Sequence, residues 1–204
     1  CVATLGNKFD EKMIDDLRGK SFKSYYLDYN FPAYSTGEVS FPRGPGRREI
    51  GHGHLAERAI EPVMPAVDSF PYTVRMVADI QESNGSTSMA TVCGCSLALM
   101  DAGVPIRTPV TASGVGLISE GDQYELLTDI QGSEDFLGDM DLKVAGTVDG
   151  ITAIQMENKI QGIKMEILEE AFARAKQGRT KILEIMNQTL SAPRPELSKH
   201  APRI

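Results

Sequence analysis

The chain contains no apolar run of ~18 residues, so no helix spanning a membrane is expected. Cysteine is scarce: Cys1, Cys93 and Cys95 cannot all pair, and the C-x-C spacing has no partner motif for zinc. Cys93 and Cys95 fall inside an apolar helical pattern, where they read as small buried residues, and a reduced, cytoplasmic setting follows. No internal repeat is present. A start methionine and a signal-peptide pattern are both missing, and the chain opens on the strand-like run CVATLG, so we expect a piece of a longer or processed polypeptide. Basic charge is also short. The net charge is −7 and the pI about 5.0, which on its face argues against nucleic acid as a partner. The charge is uneven, however: Arg43, Arg47 and Arg48 share the run FPRGPGRREIGHG, while acids crowd residues 129–141. An acidic protein can carry a local basic strip.

What is present suffices for one large domain, with 204 residues of which 41% are apolar. A strand over CVATLG is followed by a short amphipathic helix around Asp10–Leu17 and a β-rich segment, SFKSYYLDYNF. Pro32 to Gly53 is rich in glycine and proline and reads as a loop. PYTVRMVADI alternates and predicts a strand over 71–80. Met89, Val92, Ser96, Leu97 and Met100 recur at helical spacing over Ser88–Ala102, with Gly103 and Pro105 as a stop. Strands are expected at 110–118 and 124–130, then a hairpin across LKVAGTVDGITAIQME turning near Asp149-Gly150. Two helices close the domain, one striped by Ile167, Leu168, Ala171, Phe172 and Ala175, the other by Ile182, Ile185, Met186 and Leu190. The tail SAPRPELSKHAPRI reads as a linker.

Three segments hold candidate chemistry. SNGSTS (83–88) lies between a strand and a helix, where free backbone N–H groups and the helix dipole suit an anion such as phosphate; an ordinary serine cap is the alternative. In EDFLGDMDLK (134–143), Asp139, Asp141 and Lys143 alternate with Met140 and Leu142, so a strand puts the three charges on one face, with Asp135 just upstream in a glycine-containing loop. Clustered carboxylates suit Mg²⁺ or Mn²⁺, or else form a solvated acidic turn. In GRREIGHGHLAERAI (46–60), paired arginines can clasp phosphate, and His52, placed ahead of an apparent helix, can donate to an oxyanion or serve in packing. His54 and His200 carry no functional reading. Together the three describe a phosphoryl-transfer site.

GRREIGHG, ESNGSTSMATVCG, LALMDAGVP, LLTDIQGSEDFLGDMDLKVAGT and the terminal APRI resemble the second RNase PH-like domain of the bacterial polynucleotide phosphorylases, and the resemblance runs over essentially all 204 residues. It implies an α/β (α+β) RNase PH-like fold, with βαβ-type halves whose mixed sheets pack against helices. The implied reaction is reversible, phosphate-dependent, processive 3′→5′ degradation of single-stranded RNA in mRNA turnover, releasing nucleoside diphosphates. By the resemblance, Ser86, Thr87 and Ser88 bind inorganic phosphate. Asp135 and Asp141 hold Mg²⁺ or Mn²⁺ with Lys143 beside them, and Asp139 has a supporting role. Arg47, Arg48 and His52 contact substrate or phosphate near the chemistry. The family usually has three serines where this chain reads Ser-Thr-Ser, and Thr87 keeps the hydroxyl. The resemblance further implies a homotrimer, possible membership of an RNA-degrading complex and no membrane. Residues 1–191 would form the catalytic domain and 192–204 a Pro-rich linker toward RNA-binding modules.

Overall fold

The computed structural model describes residues 1–41 and 44–204; Arg43 lies outside the described residues. Strand β1 (Val2–Gly6), the first segment of the chain, pairs later with a central strand. The next segment is not the expected helix but a hairpin of β2 (Lys12–Asp16) and β3 (Gly19–Lys23). Met13 and Leu17 are exposed. A helix of eight residues with nothing to bury is not stable by propensity alone. Gly19 takes φ +109°, and the Asp16 carboxylate accepts the Arg18 amide at 2.8 Å, which closes the turn instead.

β4 (Tyr25–Asn30) leads through α1 (Arg47–Ile60) to β5 (Thr73–Asp79). That crossover makes β4 and β5 parallel, and β1 adds antiparallel on the far side of β5. α1 begins six residues before Gly53, so the expected loop is shorter than its glycine content suggested, and His52 lies inside the helix. Glu49 supplies the start: its Oε2 accepts the Gly46 amide at 2.7 Å. The same residue's Oε1 accepts from Phe31, and Glu57 Oε2 accepts from Leu27, both at 2.9 Å. Two carboxylates thus take edge amides along β4 and fix the helix lengthwise on the sheet. α2 (Thr87–Asp101) follows β5 and closes the first core with Ile60, Met76, Val92 and Leu99. Cys95 is buried there, and burial pushes its thiol up to about 12, so it packs as an inert side chain. Cys93 is partly buried.

The second half is a fully antiparallel sheet in the order β7-β6-β8-β9, built from β6 (Thr111–Glu120), β7 (Gln123–Thr128), β8 (Met140–Gly146) and β9 (Ile151–Asn158). A short helix, α3 (Gly132–Leu137), connects β7 to β8. Val115, Leu117, Leu142 and Val144 face α4 (Met165–Thr189) with Ala171 and Ala175; the alternate residues face α1 and α2. The two closing helices expected from the sequence are one helix of 25 residues. Gly178, which lies between the two expected stripes, is the point where the helix crosses β6: a Cβ there would lie 2.6 Å from Ser113 Oγ. Gly178→Ala should therefore destabilise the domain, because overpacking costs about 1–3 kcal/mol, against about 1 kcal/mol gained in helix propensity. A lower urea midpoint checks this.

Residues 191–204 lie on the first half. The amides of Arg194 and Ser198 donate to the carbonyls of Met100 and Ala102 at 2.9 and 3.0 Å, and Leu197 and Ala201 pack on the core.

Candidate active site

The face of the antiparallel sheet turned away from α4 carries Asp141 and Lys143 on β8. Register pairs them with Glu157 and Gln155 on β9, and with Gly116 and Gly114 on β6. The two glycines make room: a Cβ at 114 would stand 2.9 Å from Ser86 Oγ, and one at 116 would stand 2.6 Å from Ile130. The start of α2 and the loop after β7 therefore press directly onto the strand that bears the charges. The result is a cleft of about 700 Å³, lined by seven of the expected residues (Arg48, His52, Ser86, Thr87, Asp135, Asp141 and Lys143).

At the start of α2, Gly85 has φ +103° and Ser86 φ +49°. Among the described residues, the amides from Asn84 to Ser88 make no hydrogen bond, as the first turn of a helix leaves them. Ser86 Oγ is buried without a partner. Thr87 differs: its hydroxyl shares a 2.7 Å hydrogen bond with Tyr29 OH, which ties α2 to β4. Ser88 is fully buried behind the turn, and its Oγ is also unpartnered.

Asp141 is 3% exposed, and its Oδ2 accepts from the Lys143 ammonium. Burial raises its carboxyl above the usual range, Lys143 pulls it back, and Asp135 adds a further push upward. Asp141 Oδ1 has no partner. Asp135 lies in α3 rather than in an open loop. Lys159 donates to its carbonyl and stands 3.8 Å from its carboxylate. Asp139 sits just before β8 and does not join the charged face: Ser119 occupies its carboxylate through both amide and hydroxyl, at 2.6 and 2.7 Å. Of the adjacent arginines only Arg48 lines the cleft, its guanidinium 5.0 Å from the Phe31 ring centre; Arg47 is exposed outside it, since neighbours on a helix do not share a face.

His52, one turn beyond Arg48, meets the Tyr29 ring edge-on, and its Nδ1 is buried without a partner. Burial lowers its pKa to about 4, with Lys143 and Arg48 adding to the effect. The imidazole is then neutral at pH 7. Because the unfolded chain binds the proton first, His52 makes the fold less stable as pH falls from about 6.5 toward 4. Nitrogen NMR of the folded protein should show His52 titrating near pH 4, and a midpoint above 6 would contradict this environment.

Of the eight buried side-chain polar atoms without a partner among the described residues, four line this cleft: His52 Nδ1, Ser86 Oγ, Asp141 Oδ1 and Gln155 Oε1. Orphaned polar groups are rare in native interiors, and their convergence makes this cleft the candidate ligand site. Among the described residues no three His, Cys, Asp or Glu side chains gather closely enough to enclose a metal alone. Asp141, with its free Oδ1, and Asp135 nonetheless line the same cleft, and Mg²⁺ needs only one or two carboxylates beside phosphate oxygens and water. The cleft's cations (Arg48, Lys143, Lys159) balance its carboxylates (Asp135, Asp141, Glu157), so the acidic net charge does not bar an anion. Lys159, Glu157, Gln155 and Phe136 are lining residues that the sequence reading did not single out. Gln155 and Glu157 alternate along β9 and Lys159 continues the alternation just past its end, which was the available signal.

An anion-ready helix start beside a buried carboxylate–ammonium pair is an arrangement that can serve phosphoryl chemistry. The chain belongs to the 3′ exoribonuclease (RNase PH) family, whose domain 1 model matches residues 2–105. It is 59% identical over 203 residues to the polyribonucleotide nucleotidyltransferase of Geobacter sp. (strain M21), and 60% identical to that of Sphingopyxis alaskensis. All of the chain is covered in both, but only 29% and 26% of those proteins, so the chain spans under a third of their length. The crystal structure of rice (Oryza sativa) Rrp46 shares the fold, with a TM-score of 0.67 at 16% identity, covering 81% of this chain and 72% of that one.

Proposed function

We propose that this chain is a catalytic domain of a polyribonucleotide nucleotidyltransferase, carrying out phosphate-dependent, processive 3′→5′ degradation of single-stranded RNA. The observation that carries the reading is the convergence of unpartnered polar atoms on one cleft between the start of α2 and the Asp141–Lys143 pair. Inorganic phosphate sits on the free amides of Ser86, Thr87 and Ser88 at the start of α2, with the Ser86 hydroxyl beside it, and Thr87 ties the turn to β4 through Tyr29. An oxygen of hydrogen phosphate attacks the last phosphodiester phosphorus. The bond from phosphorus to the 3′-oxygen of the penultimate nucleotide breaks, and the terminal nucleotide leaves as its diphosphate. The proton of the attacking hydrogen phosphate passes through solvent to the 3′-oxygen, and the reverse reaction polymerises. Arg48 and Lys143 stabilise charge on the transferring group, neutral His52 donates a hydrogen bond, and Arg47 contacts RNA outside the cleft. A divalent cation held by Asp135 and Asp141, Mg²⁺ or in its place Mn²⁺, would neutralise charge on the phosphoryl oxygens.

The same reading places the protein in the cytoplasm as a homotrimer, within an RNA-degrading complex, with residues 192–204 leading from the catalytic domain toward RNA-binding modules. No helix is long and apolar enough to cross a membrane among the described residues. Purified protein carrying this chain, given body-labelled single-stranded RNA and Mg²⁺, should release nucleoside diphosphates only when phosphate is added. Monophosphates without phosphate would make it a hydrolase, and no cleavage would make it a structural RNA-path subunit.

A further inference from the structure

α3 is an unusual element. It buries none of its six residues, yet it carries Phe136 at 83% exposure into a cleft otherwise lined mainly by polar and charged groups. The helix is not loosely attached. Lys159, just past the end of β9, holds Asp135, the Glu134 carboxylate accepts the Gln131 amide at 2.7 Å, and Asn84 Oδ1 accepts the Gly132 amide at 3.4 Å. The chain therefore uses four polar contacts from three segments to hold a short helix whose large apolar side chain packs on nothing.

The cleft has a second aromatic ring, Phe31, but that ring is committed. It stacks on Tyr29 at 6.2 Å with 9° between planes, and the Arg48 guanidinium stands over it. Phe136 has no aromatic or cationic partner among the described residues. Phe136 and Asp135 line the same cleft, and the reading above puts the reacting phosphoryl group in that cleft. A nucleotide whose phosphate lies there brings its base within reach of this ring. Every base has a flat face to offer, so the contact is tolerant of sequence, as processive degradation requires.

We propose that Phe136 is the stacking platform for the base of the RNA's 3′-terminal nucleotide, a subsite that aligns the last phosphodiester with the phosphate on α2. The inference rests on the reading of the cleft as an RNA 3′-end site. The competing occupant of this ring is a protein surface, which would cover it whatever the state of the RNA.

The test measures equilibrium binding of short oligoribonucleotides without phosphate, so that turnover plays no part. One oligonucleotide ends in an intact nucleotide and the other in an abasic one. The wild type should bind the intact end about tenfold more tightly, in line with the usual worth of a base stacked on an aromatic ring. Phe136→Ala should bring both ends to the abasic level, and Phe136→Trp should restore the preference. Because the side chain is exposed, neither variant disturbs a core. A preference that survives in Phe136→Ala, or no preference in the wild type, overturns the subsite. A preference that vanishes with Phe136, in a protein that never releases diphosphates, would instead keep the subsite and overturn the phosphorolytic function.

Discussion

Asp141→Ala should abolish phosphorolysis, with a fall in kcat of at least about 10²–10³, the usual cost of removing one preorganised electrostatic group. Asp141 has two duties that the substitution ends together. Its free Oδ1 faces the cleft, and its Oδ2 neutralises an ammonium group that is itself nearly buried. The second duty carries a stability cost: stripping the partner from a buried charge is worth about 3–5 kcal/mol. Loss of activity in the single variant could then reflect loss of fold. The double variant Asp141→Leu, Lys143→Met separates the two, because apolar residues of similar volume remove both charges and generally restore stability. We expect its thermal midpoint to return toward wild type while activity stays absent. Near-normal diphosphate release from the folded double variant would remove both residues from the chemistry.

Gly85→Ala should come next in size, with a loss of about 10²-fold in kcat/KM for phosphate, the scale on which a misplacement of ~1 Å acts. The backbone at Gly85 has φ +103°, and a Cβ there would stand 2.5 Å from the Ile130 carbonyl oxygen. That oxygen belongs to main chain and cannot rotate aside, so the turn from Asn84 to Ser88 has to move, carrying the amides of α2 with it. The accompanying strain is only about 1–3 kcal/mol, which leaves a folded protein. Steady-state kinetics at varied phosphate, with circular dichroism as the control, measures the effect. An unchanged KM and kcat would mean that the turn does not hold the phosphate.

The sequence made the site's parts legible more readily than their arrangement. Local signals worked where local chemistry decides: the small-residue turn before α2, the alternation on β8 and the Asp149-Gly150 turn all appear as expected. They failed where tertiary contacts decide. Gly178 lies between the two expected stripes, and no sequence signal shows that Ser113 will pass against it. Asp139 belongs to the same alternation as Asp141, and only the fold shows that Ser119 occupies it. Glu157 and Lys159 were missed for a more specific reason. Counting back from the turn pairs Gly146 with Ile151, but a bulge at Ala145/Gly146 then shifts every later partner by one. A shift of one residue exchanges the two faces of a strand, so the hairpin alone would have hidden Glu157 on the wrong side.

The cleft lies on the seam between two cores. Arg48, His52 and Ser86 come from the half built on β4 and β5, whereas Asp135, Asp141 and Lys143 come from the four-stranded half. An anion that touches both groups can bind only while both halves are folded. Its binding free energy is then shared, and by mass action it raises the stability of each half at once. If phosphate is the anion the cleft takes, as proposed, its binding would make the two halves melt as one unit, and the domain would be most cooperative when that anion is bound.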